Sequence, residues 1–346
     1  MVSPESDLGF VFEKTMVDRS FQLLGCKYLH SQLEKLRKEL GGARLAQDIE
    51  CVHQSRVASR RMRAGLGFFD KCFPAKKTKK WSNQIRKVTK KLGQARDRDV
   101  QIEFVKEFVA NLDKEQKKYK RGINRLLLRL KQDREKIQPK VAKSIDAFDS
   151  GGVLADMHGE IEKSLFSFMG EEIPLQSHFV FQHIQDQVTD QLQELLSHQG
   201  SLENPLDKAG HHQMRISAKK LRYTLEICDV AFEGELKEMI KALKKTQTYL
   251  GDIHDCDVWQ DYLEQFVIEE KQRIVQYLGH SRPFAPIRKG LDFFSGECVK
   301  RRDALFSEFV EDWHKISEGG LWDKLQSVIK IRLQEYQNSS ELNVTA

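Results

Sequence analysis

The sequence HQSRVASRRMR at residues 53–63 recurs as HQMRISAKKLR at residues 212–222, an offset of 159 residues. A second motif, LGQARDRDV at residues 92–100, recurs as LGDIHDCDV at residues 250–258, an offset of 158 residues. One nearly constant offset in separate motifs indicates an internal duplication, with a period far above the roughly 20–50 residues of solenoid repeats. We therefore expect two similar halves related by a pseudo-two-fold axis.

The chain around these motifs has the periodicity of helices. Apolar residues near the N-terminus recur at steps of three and four, as one face of a helix requires: Phe21, Leu24, Tyr28, Leu29, Leu33, Leu36 and Leu40. Similar stripes follow near residues 97–130, 177–197, 221–250, 258–280 and 290–316, and clusters of glycine and proline separate them. No stretch alternates as a strand would, so we predict an all-α fold.

The length of 346 residues fits two domains, or one domain made of two halves. We expect a single domain over residues 15–340. Along the chain we place a first helical bundle at residues 1–150, a connector at 151–174, where glycines cluster, and a second bundle at 175–340.

The composition excludes several classes of protein. No run approaches the ~20 apolar residues of a membrane span, and the acidic start of the sequence does not resemble a signal peptide. The six cysteines include no Cys-x-x-Cys pair, so we predict no metal site and no cofactor. We expect reduced thiols and a cytoplasmic protein.

The net charge of +6 conceals an uneven distribution. Residues 53–91 alone hold thirteen lysines and arginines against one acid, Asp70. On a helix, His53, Arg56, Arg60 and Arg63 fall within an arc of about 80°, and His212, Arg215, Lys219 and Arg222 repeat that arc. No acid occurs at residues 53–69 or 208–225, although a solvated helix face normally mixes both signs. The two arcs therefore predict an anion site.

The second motif extends this site. Arg86 and Lys90 lead into its first copy, and Lys244 leads into its second. Its glycines, Gly93 and Gly251, predict a close backbone approach or a helix break. Its first aspartates, Asp97 and Asp255, are expected near the start of the following helix, as a cap or as a partner that orients an arginine.

A chain of phosphates without bases fits the arcs best. Arginine forks bind phosphate oxygens bidentately, and lysines add point charge. Single-stranded nucleic acid also needs aromatic platforms, and neither arc carries an aromatic residue. No helix-turn-helix, RNA-binding sheet or zinc finger is visible in the sequence.

These motifs resemble the conserved histidine α-helical domain, the CHAD family, over nearly the whole chain. The resemblance implies a pair of four-helix bundles with a basic groove or tunnel between them that binds inorganic polyphosphate without catalysis. It also implies association with polyphosphate granules and partnership with CYTH-type or other polyphosphate-metabolising enzymes. Carried over residue by residue, the binding set is His53, Arg56, Arg60, Arg61, Arg63, Arg86, Lys90, Arg96, His212, Arg215, Lys219, Lys220, Arg222 and Lys244.

The sequence departs from the family pattern in its second half. His254 stands where family members commonly have asparagine, which leaves its role open, and Lys219-Lys220 replaces the Arg-Arg pair. Two alternatives to the binding function stay open. The His254-Asp255 pair admits a metal-dependent phosphohydrolase or phosphotransferase acting on polyphosphate or a nucleoside triphosphate. The basic arcs also admit a nucleic-acid-binding protein.

Overall fold

The computed structural model describes residues 17–344, and for residues 339–344 it describes the backbone alone. The expected boundaries at residues 1 and 15, and the acidic start of the sequence, lie outside the described residues. Every regular element between residues 17 and 344 is helical, which confirms the all-α prediction. None of these helices has an apolar stretch long enough to cross a bilayer.

The helices of the two halves follow one another in the same order. The first half contains α1 (Arg19–Leu45), α2 (Ile49–Phe68), α3 (Ala75–Ala110), α4 (Lys120–Ser150) and α5 (Val153–Phe166). The second half contains α6 (His178–Ser197), α7 (Lys208–Cys228), α8 (Lys237–Leu278), α9 (Phe284–Glu318) and α10 (Leu321–Val344). The stretch expected as a connector, residues 151–174, contains helix α5, whose Met157 and Ile161 are fully buried.

Two apolar cores hold the helices. The larger core takes fully buried side chains from both halves, among them Leu33, Met62, Trp81, Leu192 and Leu221. A smaller core lies where the distal parts of α3 and α8 pack with α4 and α9. Helices α3 and α8 contribute to both cores and connect them. Burial of these side chains is the main driving force that brings the halves together.

At the smaller core, α4 and α9 pack with almost no side chain between them. A Cβ built on Gly122 of α4 would lie 2.9 Å from the Cα of Gly290 of α9. Only glycine permits this separation of the two backbones. The contact fixes the distal ends of α3 and α8 on either side.

Both basic helices begin at an aspartate cap. The Asp48 carboxylate accepts a hydrogen bond from the Glu50 amide (2.9 Å) at the start of α2. Asp207 does the same for the Gly210 amide (2.8 Å) at the start of α7. A capped start determines where each residue points around the helix axis. The motif histidines, His53 and His212, each lie five residues after their cap. They therefore occupy equivalent positions around the axes of their helices.

The second aspartate of each repeated Asp-x-Asp sequence packs one helix on the next. Asp99 of α3 accepts from Arg134 Nε of α4 (2.7 Å), and both side chains are largely buried. Asp257 of α8 accepts from Arg302 Nε of α9 (2.7 Å) in the same way. These ion pairs give the duplicated aspartates a structural role in positioning the site.

We predict that Arg134→Leu lowers the free energy of unfolding by ~3 kcal/mol, because it leaves the Asp99 carboxylate buried without its arginine. Urea unfolding followed by circular dichroism measures this loss. Adding Asp99→Leu should restore most of the loss, since two apolar groups replace the pair. Arg288→Leu, which breaks a half-exposed ion pair with Asp292, should change stability by less than ~1 kcal/mol. Equal losses for Arg134→Leu and Arg288→Leu would contradict this account.

Candidate anion-binding cleft

Helices α2 and α7 pack against each other and bring the two basic arcs into one place. We call six of their side chains the cation cluster: Arg56, Arg60 and Arg63 of α2 with Arg215, Lys219 and Arg222 of α7. The charge of Lys219 interacts with those of Arg60 and Arg215, one from each half. The structure therefore joins the two copies of the motif into one charged surface.

Burial and mutual repulsion both act on these charges. Loss of hydration in the cleft lowers the pKa of Arg60, Arg215 and Lys219. For Lys219 the neighbouring guanidinium groups lower it further, and its pKa is about 8. A bound anion would relieve both effects, because it returns a counter-charge to groups that have lost water.

Most of the cation cluster has no acid beside it. Within the described residues, no carboxylate lies within ion-pair distance of Arg60, Arg63, Arg215 or Lys219. Arg63 Nε is buried without a hydrogen-bond partner in this part of the chain. Buried donors are nearly always satisfied in folded proteins, so these groups have the properties of an anion site.

One aromatic side chain lies within the cation cluster. The ring of Tyr223 packs under the guanidinium groups of Arg222 (4.9 Å) and Arg60 (5.9 Å). Tyr223 lies outside the basic arc of its own helix, and it reaches Arg60 across the interface between α2 and α7. Its exposed fraction is 8%, and the two arginines cover it. Tyr223 stabilises the cations and leaves no open face on which a base could stack.

A cavity of about 520 Å³ continues the cleft toward the smaller core. Its walls carry Arg56, Arg215 and two further arginines, with Phe104 and Trp259 toward the apolar core. Three aspartates, Asp97, Asp252 and Asp255, line the same cavity. This end of the cleft therefore mixes both signs, whereas Arg60, Arg63 and Lys219 have no carboxylate within ion-pair distance among the described residues.

The first aspartates of the repeated motif lie inside helices. Asp97 and Asp255 are in the middle of α3 and α8, so the expectation of a nearby helix start is wrong. Asp97 instead lies 3.9 Å from Arg56, in the orienting role. Asp255 is open to the cavity, but the surrounding protein removes hydration and raises its pKa to about 6, although Arg215 opposes the shift.

The motif glycines also lie within continuous helices, so the alternative of a helix break is wrong. A Cβ built on Gly93 would lie 3.4 Å from Arg56 Nε. On Gly251 it would lie 4.0 Å from Arg215 Nε. Both distances are ordinary van der Waals contacts with an arginine of the preceding helix, so neither position shows the close backbone approach that the spacing predicted.

Each motif histidine has a basic neighbour at the matching position. Burial, and then the charge of Arg96, lowers the pKa of His53. In the second half the ring of His212 lies 5.2 Å from that of His254, which occupies the position of Arg96. Burial and Arg215 lower the pKa of His254. With their pKa values lowered, the imidazoles of His53 and His254 are neutral at pH 7, and each can donate one hydrogen bond to a phosphate oxygen.

The remaining predicted site residues occupy different surroundings. Arg61 and Arg222 both bind Glu226 at 2.9 Å, and Lys220 binds Glu194 of α6 at 2.9 Å. Lys244 lines a separate groove beside Arg61 and Glu226. Two predicted residues of α3 lie on the exposed surface one helical turn apart and extend the cation cluster from Arg63: Arg86 and Lys90.

Arg301 of α9 is a cavity residue that the sequence did not single out. It lines the cavity and lies over the ring of Phe104 at 5.2 Å. The duplication could not identify it, because Arg302 matches Arg134 of α4 and the residue before Arg134 is Asp133. The basic run Lys300-Arg301-Arg302 was the only hint of this residue in the sequence. Within that run, Arg302 forms the buried ion pair with Asp257.

The CHAD domain family model matches residues 27–264, which is more than half of the chain. The chain belongs to the CHAD domain family. The crystal structure of the CHAD domain from the plant Ricinus communis superposes with a TM-score of 0.59 at 19% identity, covering 85% of this chain and 91% of that one. PptA from Streptomyces chartreusis gives 0.58 at 14% identity, covering 86% and 99%. These structures share the fold, and no curated protein matches the chain in sequence.

The structure shows where the two departures from the common CHAD pattern lie. His254 is a cavity residue beside His212, so an imidazole stands where the first half has the guanidinium of Arg96. Of the two lysines that replace the arginine pair, Lys219 belongs to the cation cluster and Lys220 makes an ion pair at its outer edge.

We predict that Lys219→Met stabilises the ligand-free protein at pH 7 by on the order of 1 kcal/mol, because it removes a charge that burial and repulsion disfavour. The pKa of Lys219 is about 8 in the folded chain against an ordinary value of 10.5. Between these values the unfolded chain holds more protons, so the stability of the wild type rises with pH in that window.

Urea unfolding at pH 7 and at pH ~9.5 measures both effects. The Lys219→Met protein should lose the part of the pH-dependent increase in unfolding free energy that comes from this lysine. Lys220→Met is the matched control, since its amine is half exposed and paired with Glu194, and it should keep the wild-type pH dependence. A Lys219→Met protein that is less stable than the wild type at pH 7 would contradict the prediction.

Proposed function

We propose that this CHAD protein binds inorganic polyphosphate without catalysis in the cleft between α2 and α7. The observation that carries the proposal is the set of half-buried cations from both halves that have no acid within ion-pair distance. A phosphate chain presents a negative oxygen at every unit, so it can neutralise successive members of the cation cluster. Membership of the CHAD family points to the same ligand, because the resemblance to that family implies polyphosphate binding.

The chemistry of the cleft favours phosphates over nucleic acid. Tyr223, the aromatic ring among the cations, is covered by arginines, and Trp259 of the cavity wall has an exposed fraction of 3%. Sequence-tolerant binding of single strands relies on open aromatic faces for stacking. The cation cluster instead offers guanidinium forks and an ammonium group, which suit bare phosphate oxygens.

The metal-dependent alternative has weaker support. Among the described residues, His254 and Asp255 have no further ligands near enough to complete a metal site. The proposed role is therefore retention of polyphosphate, with polyphosphate granules in the cytoplasm as the proposed location. Polyphosphate-metabolising enzymes, including those of the CYTH type, are the proposed partners.

We predict that long-chain polyphosphate binds with steep salt dependence and with an affinity that rises with chain length. For about four neutralised phosphates, affinity should fall roughly 50-fold between about 50 and 200 mM salt. Arg60→Gln and Arg215→Gln, one from each half, should each weaken binding by about tenfold or more, because charged hydrogen bonds are lost. Titration by fluorescence anisotropy or calorimetry measures these affinities.

Arg61→Gln and Lys220→Gln are the matched controls, since both side chains already have carboxylate partners. They should stay within about threefold of the wild type. Random single-stranded RNA that competes equally at the same phosphate concentration would overturn the preference for bare phosphate. Steady release of phosphate with Mg²⁺ or Mn²⁺, lost in His254→Ala, would overturn the absence of catalysis.

We predict that affinity for polyphosphate rises as the pH falls through about 6, where Asp255 takes up a proton. The protonated carboxyl no longer repels the anion, and by linkage a bound anion raises the pKa of Asp255. Asp255→Asn should remove this rise in affinity near pH 6, and the variant should bind polyphosphate several-fold more tightly than the wild type at pH 7. Titrations with polyphosphate at pH 5, 6 and 7 measure the change in affinity. The control is Asp261→Asn, which changes an exposed aspartate of the same helix. If the affinity of Asp255→Asn still rose near pH 6 as in the wild type, the assignment of this pH dependence to Asp255 would be contradicted.

A further inference from the structure

A group of histidines and glutamates lies on the outer side of α1 and α5, away from the residues that line the cleft. Helix α1 supplies His30 and Glu34, one helical turn apart, and α5 supplies His158 and Glu162 at the same spacing. Possible ligand atoms of His30, Glu34 and His158 all lie within 4.8 Å of one another. The Oε1 atom of Glu162 lies 3.2 Å from His30 Nε2 and 4.0 Å from His158 Nε2.

The backbone beneath this group is firmly held. Each of the four residues directly follows a fully buried core residue: Leu29, Leu33, Met157 and Ile161. Packing therefore fixes the Cα positions of the four side chains, while their outer atoms stay in contact with solvent. The side chains of His30 and Glu162 are 35% and 51% exposed, so they can adjust their rotamers without disturbing the core.

The set of donors selects one class of ligand. Two imidazoles with two carboxylates match the nitrogen and oxygen ligands of tetrahedral Zn²⁺, whose bonds of ~2.0–2.2 Å place neighbouring ligand atoms ~3.3 Å apart. Glu162 lies 3.2 and 4.0 Å from the two imidazoles, and ligand atoms of His30, Glu34 and His158 lie within 4.8 Å of one another, so side-chain rotations can bring these donors to one ion. Imidazole ligands disfavour Mg²⁺ and Ca²⁺, which prefer oxygen.

We propose that His30, Glu34, His158 and Glu162 form a surface site for a divalent transition metal of the Zn²⁺ class. A bound ion links α1 to α5, the first and last helices of the first half. The site is independent of the cation cluster and of polyphosphate. Its consequence is a metal-dependent gain in the stability of the α1–α5 packing, because an ion that binds only the folded chain favours that state.

The test uses the full chain, freed of metal by a chelator and then titrated with ZnCl₂. Calorimetry should give one Zn²⁺ per chain at this site, and the melting temperature should rise by about 3–6 °C at saturation, while MgCl₂ should leave it unchanged. CoCl₂ should give the visible absorption of tetrahedral Co²⁺ with nitrogen and oxygen ligands.

His30→Ala combined with His158→Ala should weaken Zn²⁺ binding by at least about tenfold and abolish the thermal shift. The control is His280→Ala combined with His314→Ala, which removes two exposed histidines elsewhere and should behave as the wild type. Glu34→Gln, which keeps the shape of its side chain, should also weaken binding. Unchanged Zn²⁺ binding in the His30→Ala, His158→Ala protein, or no binding by the wild type, would overturn the proposal.

Discussion

The burial of several positive charges between α2 and α7 is the constraint on which the arrangement of this protein depends. Arg60, Arg215 and Lys219 are held together in a partly dehydrated cleft, and their lowered pKa values express what that arrangement costs. The two apolar cores, the aspartate caps and the Gly122–Gly290 crossing offset this cost by fixing the helices. The ligand-free state thus retains an electrostatic penalty that a polyanion removes.

Some basic residues are paired with carboxylates and others are not, and the residue type alone does not distinguish the two groups. Arg134 and Arg302 are buried against aspartates and hold helices together, and Arg61 shares Glu226 with Arg222. The members of the cation cluster without a carboxylate partner keep their charge for a ligand. The proposed function follows from this division more than from the net charge of +6.

The sequence predicted the helical fold and the two basic arcs, because both depend on local periodicity and on a motif that occurs twice. Only the family resemblance implied that the arcs meet in one groove. It missed features that depend on contacts between helices. The acid-free stretch that it identified ends at Leu225, and the next residue, Glu226, binds Arg61 and Arg222. Tyr223 lies outside the basic arc of its own helix and reaches Arg60 of the facing one. Arg301 has Asp133 rather than a basic residue at the matching position of α4, so only tertiary structure places it in the cavity.

The central claim is that both halves contribute to one continuous polyanion site. A crystal structure of the protein with a short polyphosphate tests this claim most directly, because phosphorus positions identify the contacting side chains. The account predicts a chain of phosphates between α2 and α7 that contacts Arg60 of the first half together with Arg215 or Lys219 of the second. Phosphates bound to one half alone, or only along the exposed face of Arg86 and Lys90, would contradict it.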